Sequence, residues 1–273
     1  MTATAQLRPD VGTLLRTWRE RRRLSQLELS SRARVSTRHL SYVETGRSRP
    51  TPELIDRIAE SLDVPLRSRD ELLLAGGYAP RHGGRGLEHA DLSVVLDGLR
   101  RLLDAHEPNP ALLLDQHWDV VDANAATGLL LAGCAPELVE PPVNAIRVSL
   151  HPGGLAPRIR NLQQWAAHLV HQVRSRAEVT HDPVLADLAD EAASYVDLDP
   201  RTPAPAGPVL ALELEFPGGV LRFFSVSARL ETATDATLDE LHLETFLPAD
   251  EATQAALRPP EDDPDRGRRG SRA

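Results

Sequence analysis

Two hydrophobic periods occur in this chain. Val11, Leu14, Leu15 and Trp18 recur at helical spacing and predict a first amphipathic helix, with the charged run 19–23 facing outward. Ser25 stands three residues before Glu28, the spacing of a capping box, so a second helix follows with Leu27, Leu29 and Ala33 as its apolar side. After a short break, Ser36 caps a third helix whose Leu40 and Val43 turn inward and which Gly46 ends. Thr51 and Pro52 open a fourth, with Leu54, Ile55, Ile58 and Leu62 inward, and a fifth closes near residues 72–80. The second and third helices form helix, short turn, helix.

Pro80 and the glycines of "APRHGGRGLEHAD" predict a linker over 79–88. Beyond it, Leu92, Val95, Leu96, Leu99, Leu102 and Leu103 mark another helix. "ALLLD" and "VVDAN" then read as two short strands, and 156–177 and 182–195 read as helices, the latter capped by Asp182. From Val209 the period becomes two: Leu210, Leu212, Leu214 and Phe216 alternate with Ala211, Glu213 and Glu215. "PGG" turns the chain into "VLRFFSVSARL", and "LDELHLETFLP" is expected as a last strand before a short helix capped by Asp250. Two strands, a helical insert and three strands predict an α+β domain with an antiparallel sheet, helices over one face and a small apolar pocket between them.

Charge sharpens this division. Residues 1–85 hold 16 Arg against 10 acids and residues 86–273 hold 15 Arg against 30, within a net charge of -9. Positive charge gathers on the helix-turn-helix, where the start of the third helix can enter a DNA major groove. Thr37, Arg38 and Tyr42 lie on its outward face as candidate base readers, Ser36 caps it, and Gln26, Arg47 and Arg49 are candidate phosphate contacts.

The segments "SQLELSSRA", "VSTRHLSYVETGRSRP" and "LIDRIAESLDVP" resemble the XRE-type, phage-repressor-like helix-turn-helix regulators. The resemblance implies an all-α, five-helix, lambda-repressor-like DNA-binding domain over 10–78, after a flexible 1–9. It also implies a structural ion pair that falls on Arg19 and Glu44. Arg34 stands where the family usually has glycine, so a left-handed turn there would cost Arg about 1 kcal/mol.

"HEPNPALLLDQHWDVVDANAA", "VSLHPGGLAPRIRNLQQWAAHL" and "ETFLPADEAT" resemble the MmyB-like ligand-binding domain found behind such DNA-binding domains. This implies a PAS-like sensor over 89–258, followed by a disordered tail over 259–273, with a small apolar ligand for which fatty acids are the family's suggestion. From the residues themselves, His151, Arg158, Asn161 and Trp165 are candidate ligand contacts: Arg158 for a carboxylate, Asn161 beside it, Trp165 as an apolar wall. The same residues could equally cap and dock a helix onto the sheet.

Other chemistry finds little support. His168 and His171 are three apart without a third metal ligand, no P-loop, G-x-S-x-G or G-x-G-x-x-G in strand-to-helix context occurs, and Cys134 is a lone core thiol. No catalytic residue, metal or cofactor is expected. The absence of a long apolar run or signal peptide predicts a cytoplasmic protein. The combined expectation is a homodimeric regulator on a palindromic operator, controlled by an apolar metabolite. Its alternative is a DNA-binding regulator whose second domain serves protein interaction or dimerisation.

Overall fold

The computed structural model describes residues 10–203 and 207–258; the expected flexible start and disordered tail lie outside them. The chain divides into two compact units, one of residues 1–90 with Leu230–Glu240, the other of 91–229 with 241–273. The second unit is therefore not one continuous stretch of chain.

The N-terminal unit contains α1 (Val11–Arg21), α2 (Gln26–Arg32), α3 (Thr37–Glu44), α4 (Pro52–Ser61) and α5 (Leu66–Ala75). Each of the first four starts on a side-chain cap, at Asp10, Ser25, Ser36 and Thr51, and Ser25 with Glu28 forms the complete capping box. Leu15, Leu29, Ala33, Leu40, Val43, Ile55 and Ile58 are fully or almost fully buried in one core. Leu27 departs from expectation: it is 69% exposed, because a seven-residue helix buries only the stripe through Leu29 and Ser30. Arg34 does adopt the left-handed conformation, at φ 52°, and the turn between α2 and α3 closes through Val35 N–H donating to Ser30 O.

The C-terminal unit runs through α6 (Ala90–Asp104), β1 (Ala111–Leu114), β2 (Val120–Ala123), α7 (Gly128–Leu131), α8 (Pro136–Val139), α9 (Ala145–Leu150), α10 (Leu162–Thr180) and α11 (Pro183–Tyr195). It ends with β3 (Leu212–Phe216), β4 (Gly219–Arg229), β5 (His242–Pro248) and α13 (Glu251–Leu257). The α12 helix (Ala236–Glu240), between β4 and β5 in sequence, belongs to the N-terminal unit. Residues 238–240 are thus helical where a strand was expected; their Leu and Glu spacing fits either period.

The strands form one antiparallel sheet in the order β2-β1-β5-β4-β3. Leu112, Leu114, Leu212, Leu214, Leu221, Phe223 and Phe246 share a core with Trp118, Trp165, Leu169, Val170 and Leu188, so helices and sheet bury one another's apolar faces. Each sheet edge meets a neighbouring segment at one point: Val120 N–H donates to Val143 O, and Arg160 N–H donates to Glu213 O. Cys134 is half-buried against this core, and burial holds its thiol above the ordinary range. Asp115 accepts from the N–H groups of His117 and Asp119, and Arg100 pairs with Asp122, so these acids shape and brace the β1–β2 hairpin.

Candidate DNA interface and ligand trough

The angle of α3 is fixed from beneath. Glu44, its last residue, has a side chain 1% exposed and accepts from Arg19 Nε (2.7 Å), Arg19 Nη2 (2.9 Å) and Gln26 Nε2 (2.8 Å). One carboxylate thereby joins α1, α2 and α3. Gly12 adds a steric condition: a Cβ on it would lie 2.2 Å from Val43 O, so only glycine allows α1 this close to the end of α3.

Above this base, Ser36 accepts from His39 N–H (3.2 Å) and starts α3. Arg38 is exposed; its Nε donates to the Tyr42 hydroxyl (3.0 Å) and its guanidinium lies 5.4 Å from the Tyr42 ring centre. Arg47 approaches the same ring at 6.0 Å. Two guanidinium groups near one aromatic ring make a positively charged ridge. Thr37 is half-buried with its hydroxyl 2.9 Å from that of Ser30, which steadies the start of α3. Gln26 is held by Glu44, and Arg49 by Gly76 O (3.1 and 2.8 Å) and the Tyr78 ring at 5.1 Å. His39, exposed on α3 beside Arg38, is a further polar group on this surface that the sequence reading passed over.

In the C-terminal unit the four candidate ligand residues separate. Trp165 is buried and lines an apolar cavity of about 50 Å3 with Trp118, Leu130, Ile146, Leu155, Leu169, Leu212 and Phe246. Its indole Nε1 is buried with no hydrogen-bond partner. Asn161 instead clamps α10 to β3, donating from Nδ2 to Ala211 O and accepting from Glu213 N–H. Arg158 donates to Leu130 O, and His151 accepts from Gly153 N–H while its ring meets Tyr195 edge-on at 4.9 Å.

Beside the cavity lies an open trough of about 600 Å3 that shares Trp118 and Glu244 with it. Its floor is the β4–β5 pairing. Ser225, Ser227 and Arg229 stand opposite Phe246, Glu244 and His242, so one face of the hairpin grades from apolar to polar. Its wall is α10, with His168, His171, Gln172, Ser175 and Arg176. Desolvation holds the Glu244 carboxyl above the ordinary range, partly offset by a hydrogen bond from Ser225. Burial, with some repulsion from His171, holds the His168 imidazole below its own. Arg176 Nε is buried without a hydrogen-bond partner. A buried donor without a partner, on a permanently charged side chain that lines a cleft, is a costly arrangement that an anionic or strongly accepting group would relieve. Among the described residues no group of three or more His, Cys, Asp or Glu is placed to hold a metal ion.

A helix-turn-helix in one unit and a sheet-and-helix pocket in the other are the features of a DNA-binding regulator with a ligand-binding-type domain. Comparison with known families agrees. Residues 95–259, more than half of the chain, match the MmyB-like transcription regulator ligand binding domain, and residues 10–72 match a helix-turn-helix domain. The chain belongs to the MmyB-like transcription regulators. It is also similar to an uncharacterized HTH-type transcriptional regulator of Mycobacterium tuberculosis, found in strains CDC 1551 / Oshkosh and H37Rv. Each is 29% identical over 116 residues, covering 42% of this chain and 75% of the relative. Among the described residues no helix is long and apolar enough to cross a membrane.

Proposed function

We propose that the protein is a cytoplasmic, homodimeric repressor or activator that reads a palindromic operator through α3 and responds to a small amphipathic metabolite. The observation that carries the ligand reading is the adjacent pair of sites: an apolar cavity that shares Trp118 and Glu244 with a trough lined by Arg176, whose Nε has no hydrogen-bond partner. An apolar tail fits the first and an anionic head the second. A cavity of about 50 Å3 is far below the roughly 300–1,000 Å3 of formed ligand pockets, so the tail must displace side chains or extend along the trough. Fatty acids are one class with the right chemistry. Of the residues first considered for contact, Trp165 keeps that role, and Arg176, His168 and Glu244 replace Arg158, Asn161 and His151 as polar partners.

Dodecanoate is the direct probe. Native mass spectrometry should show it bound at one per chain, and at about a hundredfold over its Kd it should stabilise the folded protein by roughly 2.7 kcal/mol. Arg176→Ala should abolish most of that shift. If neither dodecanoate nor any compound extracted from the purified protein stabilises it, the sensor reading fails, and the interaction-module alternative takes its place.

On DNA, Arg38, Thr37 and Tyr42 remain the proposed readers, with Arg47 and the α3 N-terminus at Ser36 on phosphate; Gln26 and Arg49 support the helices that carry them. Arg38→Ala should weaken binding to an operator selected in vitro by about 10- to 100-fold, or roughly 1–3 kcal/mol, while binding to random DNA stays nearly unchanged. Equal losses on both DNAs would make Arg38 a phosphate contact instead. Two half-sites about 34 Å apart are expected for a dimer, and sedimentation of the full chain with and without operator checks its stoichiometry.

A further inference from the structure

We infer that the segment joining β4 to β5 is the transmission element of this regulator, carrying occupancy of the trough to the DNA-binding helices; the inference rests on the trough being the ligand site. An antiparallel hairpin needs a loop of only about two to five residues. Here the connection runs from Leu230 to Leu241, and residues Leu230–Glu240 are part of the N-terminal unit. The excess length therefore does something other than close a hairpin.

Its two ends are fixed at the trough. Arg229, the last residue of β4, pairs in register with His242, the first of β5, and both side chains line the trough's polar rim. Its middle is fixed in the N-terminal unit. Ala236 N–H donates to His82 O (2.8 Å) and the Thr237 hydroxyl donates to Arg85 O (2.8 Å). Glu240, itself buried, receives two hydrogen bonds from Arg67 of α5, from Nε and Nη2, each 2.6 Å. A bidentate guanidinium–carboxylate pair fixes orientation as well as distance.

The elements it grips lead toward α3. The residues that receive α12 are held onto α5 by Asp70, whose carboxylate accepts from the N–H groups of Arg81 and His82. Arg81 also pairs with Asp56 and Glu53 of α4. At its other end, α5 is tied through Gly76 O to Arg49, five residues beyond Glu44 at the end of α3. One rigid helix is thus held at its start by the connection and at its finish by the chain leaving the DNA-reading helix. A ligand that favours one arrangement of Arg229 and His242 over another has differential affinity for two positions of α12, which is what coupling requires.

Ser227 is exposed on the trough floor opposite Glu244, so Ser227→Trp fills the trough without any ligand. In the full chain, this variant should change operator affinity by about fivefold or more, within the usual range of coupling between sites. It should also alter hydrogen exchange of the α5 amides. Adding Glu240→Ala should remove both effects, while Glu240→Ala alone should leave dodecanoate binding, read by thermal shift, intact. Exchanging the charges in Arg67→Glu with Glu240→Arg should restore them, which guards against a merely unstable variant. If Ser227→Trp acts equally with and without Glu240, or changes neither readout, the connection is not the transmitter. If dodecanoate fails to bind the parent protein while Ser227→Trp still acts through Glu240, the ligand assignment falls and the transmission element stands.

Discussion

Glu44→Ala should unfold the helix-turn-helix unit under conditions where the C-terminal unit stays folded. The carboxylate is almost wholly desolvated and satisfies three donors from two other helices. Its removal leaves the Arg19 guanidinium, 10% exposed, without its main counter-charge. Losing one member of such a buried pair costs about 3–5 kcal/mol. A domain of this size has only about 5–15 kcal/mol in total. Far-ultraviolet circular dichroism should show two transitions, the first lost or moved well below ambient temperature, with operator binding lost alongside it. Glu44→Gln should cost less, because the amide oxygen can still accept from Arg19. Replacing both partners, Arg19→Met with Glu44→Leu, should recover much of the stability, since an apolar pair needs no counter-charge. DNA binding need not return with it, because Gln26 then has nothing to hold it against α3. A loss under about 1 kcal/mol for Glu44→Ala would mean that water reaches the pair and that the helix angle is set by apolar packing alone.

The sequence made the N-terminal unit legible because its signals are local. A cap, an apolar stripe and a stop are each complete within one helical turn, and Ser25, Ser36 and Thr51 all cap where their spacing places them. The left-handed Arg34 was legible for the same reason. Leu27 was not: in a helix of seven residues the apolar face is decided by what lies opposite, and position alone does not say. Gly12 gave no signal either, because its role is the distance to Val43 O, thirty-one positions away in sequence.

In the C-terminal unit the strands were legible from period, while the ligand trough was not, since it exists only once β4 is registered against β5. A trace was present. Phe223, Ser225, Ser227 and Arg229 alternate on one face, as do Phe246, Glu244 and His242, and both rows run from apolar to polar. Read as a hairpin, they describe an amphipathic surface. Asn161 and Arg158 illustrate the converse limit: their side chains suit a carboxylate ligand and suit backbone carbonyls equally, and the fold supplies carbonyls, at Ala211 and Leu130. The α12 segment was misread because its partner, α5, lies far away in sequence and no local pattern announces it.

Trp165 separates structural from ligand-binding work in a single position. It is 3% exposed within the sheet-and-helix core, so Trp165→Ala should cost about 3–5 kcal/mol, the usual cost of emptying an aromatic site. Trp165→Phe keeps an aromatic ring there and discards an N–H whose burial without a partner costs roughly 1–3 kcal/mol. That gain offsets much of the volume lost, so the phenylalanine variant should melt close to the parent protein. Its effect should appear instead with ligand present: with the tail in the cavity, the smaller ring leaves less wall for it to pack on, and dodecanoate will stabilise Trp165→Phe less than the parent. Thermal unfolding of the three proteins with and without dodecanoate reads both quantities in one experiment. Should Trp165→Phe prove as unstable as Trp165→Ala, the indole N–H is already satisfied, by water in the cavity.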